Sequence, residues 1–342
     1  MITKLVQIDP QSPDPEILGR AAEILRAGGL VAFPTETVYG LGANAYDDIA
    51  VRRIFAAKGR PASNPLIVHL CSADAAPEVA GNWPPAARRL AERFWPGPLT
   101  LVVERGARVP DTVTAGGPTV ALRVPAHAVA LALIRAVGAP IAAPSANRST
   151  RISPTRAEHV MRSLRGRIDM VLDAGRAPGG IESTVIDLSS DPPRLLRPGL
   201  IAPAEIEKIL CARLDYPVHT TTPRGGCENV FRSPGMMKRH YAPQTLMECH
   251  DQSAGQRALT LAAEGLRVAW LALDTDSSVV STPNLTTIVM PSTPKAYASR
   301  LYATLHRIDN KGYERIIVTL PPSADEWLAV RDRLHRASAK MS

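Results

Sequence analysis

Between Leu30 and Gly199 the sequence is cut into apolar runs too short to be helices. "LVAF", "PLIVHL", "PLTLVVE", "TVALRVP" and "PIAAPSA" each hold a handful of apolar residues, and all five begin or end beside a proline. Runs of this length, bounded by turn residues, read as strands. Segments with helical spacing lie among them. Ile17, Ala21 and Ile24 and the parallel row Leu18, Ala22 and Leu25 predict a helix from Asp14 to Ala27, stopped by Gly28 and Gly29. A second has Asp47 as its N-cap, Ile49, Ile54 and Phe55 inside and Gly59 just past its end; others fall near Pro85–Phe94, Ala126–Val137 and Pro154–Leu164. "MVLDAG", "STVIDLSS" and "PRLLRPG" add strands before a helix near Pro203. The pattern excludes a bundle and predicts a mixed α/β fold.

The character changes at Asp215. "DYPVHTTTPRGGCENVFRSP" sustains no period and reads as a linker. Beyond it "RVAWLAL", "TTIVM" and "RIIVTL" alternate with helical patterns at Pro294–Asn310 and Ala324–Lys340, the mark of a small parallel βαβ domain. A chain of 342 residues has room for two cores. The predicted boundaries are a first domain over 1–212, a linker or flap over 213–245 and a small domain over 246–342.

The formal net charge of +8 suggests an anionic partner, nucleic acid or a phosphorylated small molecule. Cys71, Cys211, Cys227 and Cys249 are scattered, without the close pairs of a zinc or redox motif, and read as free thiols in a reducing compartment. No run of eighteen apolar residues and no signal-peptide pattern is present, which predicts a soluble, cytoplasmic protein without a membrane partner.

Five polar groups follow or flank the predicted strands, where open α/β sheets place ligands. In "PTETVYGLGANA", Thr35, Glu36 and Thr37 offer polar side chains to a small ligand, and Gly40 and Gly42 permit close backbone approach; a locally satisfied turn is the structural alternative. In "KGRPASNPLIVH", Lys58 and Arg60 stand at a helix C-terminus, which favours cations anyway, but a compact charge beside a planar fork also suits a polyphosphate. Asn64 and His69 flank the next strand, and His69 reads equally as a satisfied core histidine. Thr119 and Arg123 leave one strand on the same side, and an Arg there needs an anion, such as a ligand carboxylate. Ser145 and Asn147 follow a small-residue strand, and Ser153 precedes Pro154 as either an N-cap or a phosphate donor. Ser183, Thr184 and Arg197 complete the set, and "SPGMMKRHYAP" reads as a solvated basic run or a flap.

No GxxxxGK[ST] loop and no nucleophile elbow occur. Many donors with few bases fit chemistry driven by positioning and charge neutralisation.

Taken together, "PTETVYGLGANA", "KGRPASNPLIVH", "WPGPLTLV", "TVALRVP", "PIAAPSAN", "ESTVIDL" and "LLRPG" resemble the YrdC family of L-threonylcarbamoyladenylate synthases over about residues 5–210, and the remainder resembles the extra domain of the family's long, two-domain form. The resemblance implies a twisted mixed α/β sheet of the YrdC type with a wide concave cleft, plus a small Rossmann-like C-terminal domain. It implies a nucleotidyltransferase that condenses L-threonine, bicarbonate or carbon dioxide and ATP, releasing pyrophosphate. The product would pass to a downstream tRNA threonylcarbamoyl-transfer machinery for N6-threonylcarbamoyladenosine. Mg²⁺ would accompany ATP, held by phosphates and not by a dedicated protein site. By position, Thr37, His69, Arg123, Ala143 and Ser183 should surround threonine. Lys58, Arg60, Asn64, Thr119, Ser145, Asn147, Ser153 and Arg197 should hold the nucleotide, with Tyr241 closing over it, and Lys58 and Arg60 should carry the catalytic charge. The sequence departs from the family where Met237 follows "SPGM" and Lys238 comes one position late.

Two other readings remain open at this level. A basic α/β domain also suits double-stranded RNA in a translation-associated module, with weak RNA binding through phosphates. A carbamoyltransferase relative would share the domain but normally adds zinc-finger or acylphosphatase-like segments.

Overall fold

The computed structural model describes residues 2–216, 240–273 and 282–339. "SPGMMKRHYAP" up to Arg239, including Met237 and Lys238, and most of the predicted 213–245 flap lie outside the described residues. The chain divides into two compact units. The first comprises Met1–Ser149, Pro154–Pro178 and Glu182–Met236; the second comprises Thr150–Ser153, Gly179–Ile181 and Met237–Ser342.

The strands of the first unit are β1 (Lys4–Gln7), β2 (Val31–Phe33), β3 (Gly40–Asn44), β4 (Ile67–His69), β5 (Leu99–Glu104), β6 (Thr119–Arg123), β7 (Ile141–Ala142), β8 (Met170–Asp173), β9 (Thr184–Asp187) and β10 (Arg194–Arg197). They form one ten-stranded mixed sheet in the order β1-β8-β2-β3-β7-β4-β6-β5-β9-β10. β4 and β6 run parallel at its centre with His69 opposite Arg123, and β5 pairs antiparallel to β6 and parallel to β9. The helices Pro15–Arg26 and Ala128–Val137 bury Leu18, Ala21, Leu25, Leu133 and Ile134 with Val31, Phe33, Ile141 and Leu172 of the sheet.

The helix Asp48–Lys58 matches its predicted limits. The Asp47 carboxylate accepts from Ile49 N and Ala50 N, and Gly59 closes the helix at φ 59. Ile49, expected inside, is 74% exposed, because the buried face is Ala50, Val51, Ile54 and Ala57.

Two further expectations are corrected. Gly40 and Gly42 belong to a strand, β3, and not to a ligand loop. A Cβ on Gly42 would meet Ile141 Cγ2 at 2.8 Å and Phe33 Cε1 at 2.9 Å, so the close approach is between strand and core. The helix placed at Pro154 begins at Ala157 instead. Pro154 O is taken by Tyr39 N at 2.9 Å, which draws that carbonyl out of any helical ladder and leaves Ser153 well short of the helix N-terminus.

The second unit holds β11 (Leu246–His250), β12 (Val268–Leu273), β13 (Leu285–Met290) and β14 (Arg315–Thr319), all parallel, in the order β11-β14-β12-β13. Val268, Trp270, Leu285 and Ile317 pack with Ala258 and Leu261 of the helix Ala254–Ala263. β11 and that helix lay unread beyond the linker. Only Met247 of β11 is buried, so no apolar alternation announces the strand.

Candidate active site

The loop leaving β2 is set by Thr35. Its hydroxyl donates to Val38 O at 2.7 Å and accepts from Thr37 N and Val38 N, a local turn that a Thr after a strand favours. Thr35 Oγ1 also lies 2.8 Å from Thr37 Oγ1. A hydroxyl has one proton, so Thr37 donates in this pair and its oxygen is left to accept from Arg123 Nη2 at 3.0 Å. Arg123 Nε donates to Gly97 O at 3.2 Å. The guanidinium is thus oriented by two neutral oxygens. Its counter-charge is Glu36, with Oε1 2.7 Å from Nη2 and both side chains largely buried. The approach lacks hydrogen-bond alignment, and neither Glu36 oxygen makes a hydrogen bond among the described residues.

His69 leaves β4 beside Arg123, on the same side of the sheet. Its ring meets Phe33 edge-on at 6.2 Å. Its Nδ1 is buried with no hydrogen bond among the described residues. Burial, then the Arg123 charge, push its pKa down to about 3, so the ring is neutral at physiological pH. Ala143 follows β7, and its N–H donates to Ile67 O at 2.8 Å, which holds this small residue beside β4.

Lys58, the last residue of its helix, turns away from the helix carbonyls that the dipole argument offered it. It is fully buried, and Nζ donates to Ser145 O at 2.6 Å and Asn147 O at 2.5 Å in the loop after β7. Burial and the neighbouring Arg60 hold its pKa well below the ordinary lysine value. The Arg60 fork donates from Nε to Asn64 O at 3.0 Å and from Nη2 to Asn64 Oδ1 and Pro65 O at 2.6 and 2.8 Å. The loop is tied back by Ser149 N donating to Lys58 O at 2.9 Å and by a bridge between Gly40 and Ser145. Lys58, Ser145 and Asn147 therefore form one cluster, with Arg60 and Asn64 next to it.

At the start of β9, Ser183 Oγ lies 2.7 Å from Thr100 Oγ1 and accepts from Arg197 Nη2 at 3.0 Å, while Arg197 Nε donates to Ser183 O. Expected to serve different ligands, Ser183 and Arg197 share one hydrogen-bonded group. Thr119 stands four residues before Arg123 on β6, opposite Glu104. Ser153 and Tyr241 fall in the second unit. Ser153 is buried and its carbonyl lies 3.1 Å from His306 Nε2. Tyr241 is buried at φ 61, stacked on Tyr302 at 5.9 Å, with the Arg333 guanidinium 4.8 Å above its ring.

Residue reading missed three participants. Glu36 stands among the threonines as one more polar side chain in the sequence, whereas in the fold it is the counter-charge of Arg123. Thr100 looked like an ordinary strand threonine. His127 immediately precedes a helix, where a polar residue looks solvated; its Nδ1 is buried without a partner among the described residues, and burial lowers its pKa against the opposing pull of Glu36.

Buried cations oriented by neutral oxygens, beside hydroxyls on a mixed sheet, define the chain as an α/β protein with a polar, charged centre. The Sua5–YciO–YrdC family model, described as "Telomere recombination", matches residues 23–199, and the model described as "Threonylcarbamoyl-AMP synthase, C-terminal domain" matches residues 201–339. The chain is 42% identical over 326 residues to a threonylcarbamoyl-AMP synthase of Pyrococcus abyssi, covering 93% of each chain. It is 41% identical over 330 residues to one of Bacillus subtilis, covering 95% of this chain and 93% of that one. A crystal structure of P. abyssi Sua5 complexed with L-threonine superposes with a TM-score of 0.88 at 39% identity, covering 98% of both chains. This chain belongs to the Sua5–YciO–YrdC family, in its long two-domain form.

Proposed function

We propose that this protein is a threonylcarbamoyl-AMP synthase, a nucleotidyltransferase that joins L-threonine, bicarbonate or carbon dioxide and ATP, releases pyrophosphate, and supplies its product to a tRNA-modifying step in the cytoplasm. The observation that carries the ATP half is Lys58: a fully buried lysine beside Arg60, held only by carbonyls among the described residues and with its pKa lowered by burial, is a group whose charged form a polyphosphate would stabilise. The threonine half is supported by Arg123, fixed by Thr37 and Gly97 as a carboxylate receptor, and by the L-threonine named in the P. abyssi structure.

In this reading Thr37, His69, Arg123, Ala143 and Ser183 surround threonine, while Lys58, Arg60, Asn64, Thr119, Ser145, Asn147 and Arg197 hold the nucleotide. The threonine amine and bicarbonate give a carbamate and water. A carbamate oxygen then bonds to the α-phosphorus as the bond to the β-phosphate oxygen breaks in line, and pyrophosphate leaves with its charge met by Lys58 and Arg60. Mg²⁺ enters as part of the substrate, Mg–ATP. The cationic Lys58–Arg60 corner repels a bare divalent ion, which suits an ion carried on phosphate oxygens and water. Neutral His69 can accept or donate a hydrogen bond without adding charge. The parallel second unit fits a Rossmann-like domain.

The test is pyrophosphate release by the purified protein with L-threonine, bicarbonate and Mg–ATP. Release should require threonine, and an equal rate without threonine defeats the proposal.

A further inference from the structure

We infer that the buried Glu36–Arg123 ion pair is a receptor for both charges of an α-amino-acid zwitterion, in which Glu36 takes the substrate ammonium and so selects for a free amino group. This rests on the reading of the pocket as the threonine site.

The geometry separates Glu36 from a merely structural carboxylate. Arg123 is already oriented by Thr37 Oγ1 and Gly97 O. Glu36 contributes charge at 2.7 Å without hydrogen-bond alignment, and both its oxygens are shut off from water with no hydrogen bond among the described residues. Buried carboxylates kept for structure accept several hydrogen bonds, so an orphaned one asks what donor is missing. The deficit is not confined to Glu36. His69 Nδ1, in the field of Arg123, and His127 Nδ1, in the field of Glu36, are also buried without partners among the described residues. Unsatisfied polar atoms therefore gather round a single cation, and an ammonium with three N–H donors is a group that answers the two carboxylate oxygens among them.

Charge bookkeeping supports the same ligand. An α-amino acid carries its ammonium and carboxylate on one carbon, the spacing of two groups already in contact. The pair can open and exchange partners with the zwitterion, carboxylate to Arg123 and ammonium to Glu36, without leaving net charge buried. A ligand with only one charge opens the pair and strands its other member, an arrangement that buried sites reject strongly.

Calorimetric titration of L-threonine and of 3-hydroxybutanoate, which lacks the amine, decides the matter in the full-length wild-type chain and in Glu36→Gln. In the wild type threonine should bind at least about 100-fold more tightly than 3-hydroxybutanoate. In Glu36→Gln threonine should weaken at least about 30-fold while 3-hydroxybutanoate is unchanged or tightens, because Arg123 is released from its internal partner. Proportional weakening of both ligands would reduce Glu36 to a support for Arg123 and overturn the inference, as would unchanged threonine binding. Should Glu36→Gln not fold, the wild-type ratio decides alone: comparable affinities refute the inference. Wild-type chain that binds ATP but no threonine takes the proposed function down as well, whereas an outcome confined to the variant leaves that function standing.

Discussion

The two cationic corners of the first unit are balanced in different ways. At Arg123 a full negative charge, Glu36, stands 2.7 Å away. At Lys58 the opposing atoms are the carbonyl oxygens of Ser145 and Asn147, and Arg60 adds a second positive charge. A carboxylate cancels charge, whereas a carbonyl only solvates it. The first corner is therefore neutral when empty and fits a ligand that is itself neutral overall, such as a zwitterion. The second holds only basic groups, and a polyanion there would offset the burial and the Arg60 charge that lower the Lys58 pKa. One sheet thus presents two corners of different charge balance, and the difference lies in what the protein supplies before any ligand arrives.

The sharpest attempt to break this comparison is Lys58→Met. If Lys58 serves the triphosphate, pyrophosphate release should fall by about 10³-fold in kcat, the scale for removing a charged donor from a developing anion. Threonine affinity should stay within about twofold by calorimetry, and the melting temperature should move by only a few degrees. A collapse of the fold would make Lys58 an anchor for the Ser145 loop and not a receptor. Arg123→Lys probes the other corner. A point charge cannot serve Thr37, Gly97 and a carboxylate together as the fork does. We expect KM for threonine to rise roughly 100-fold, with KM for ATP unchanged; a shift in both would mean that the corners are not separate.

Legibility in the sequence followed the same division. The Lys58 corner could be read because its helix carries both signals, Asp47 to start and Gly59 to stop, and because cations near a proline-flanked strand are conspicuous. β4, β5 and β6 are compact apolar runs and appeared where expected. β3 did not, because glycine at positions 40 and 42 erases the apolar alternation that marks a strand; only the packing of Phe33 and Ile141 explains it. Glu36 was hidden for another reason. A carboxylate between two threonines looks solvated until the long-range partner, 87 positions later in the chain, is seen in contact. β11 failed through weak patterning, and the start of the helix at Ala157 through a carbonyl captured by Tyr39. Local signals survive in the sequence, and long-range ones do not.

His69 sharpens the comparison through acid stability, because it sits beside the balanced corner yet is kept neutral. Its folded pKa, about 3, lies below the ordinary 6.5. Between those values the unfolded chain binds a proton that the folded chain does not. The contribution of neutral His69 is complete above about pH 6.5 and is lost at up to about 1.4 kcal/mol per unit as pH falls toward 3. Urea unfolding at pH 6.5, 5.5 and 4.5 should show this slope in the wild type, and His69→Phe should reduce it by about one proton. An unaltered slope in the variant places the acid sensitivity elsewhere.

The smallest effect tests whether the Lys58 corner depends on its helix as a whole or only on the helix end. Asp47 satisfies Ile49 N and Ala50 N at the far end of Asp48–Lys58, while Lys58 is fixed by Ser145, Asn147 and the Gly59 stop. Asp47→Ala should therefore cost about 1 kcal/mol of stability, the usual value of such a cap. It should leave kcat within about twofold, because fraying at the N-terminus of a helix with a buried Ala50–Val51–Ile54–Ala57 face does not reach its last turn. Chemical denaturation measures the first quantity and pyrophosphate release the second. A loss of kcat comparable to that of Lys58→Met would show that the ammonium is positioned by the whole helix, and the corner would then be better described as a rigid element than as a charge held by one loop.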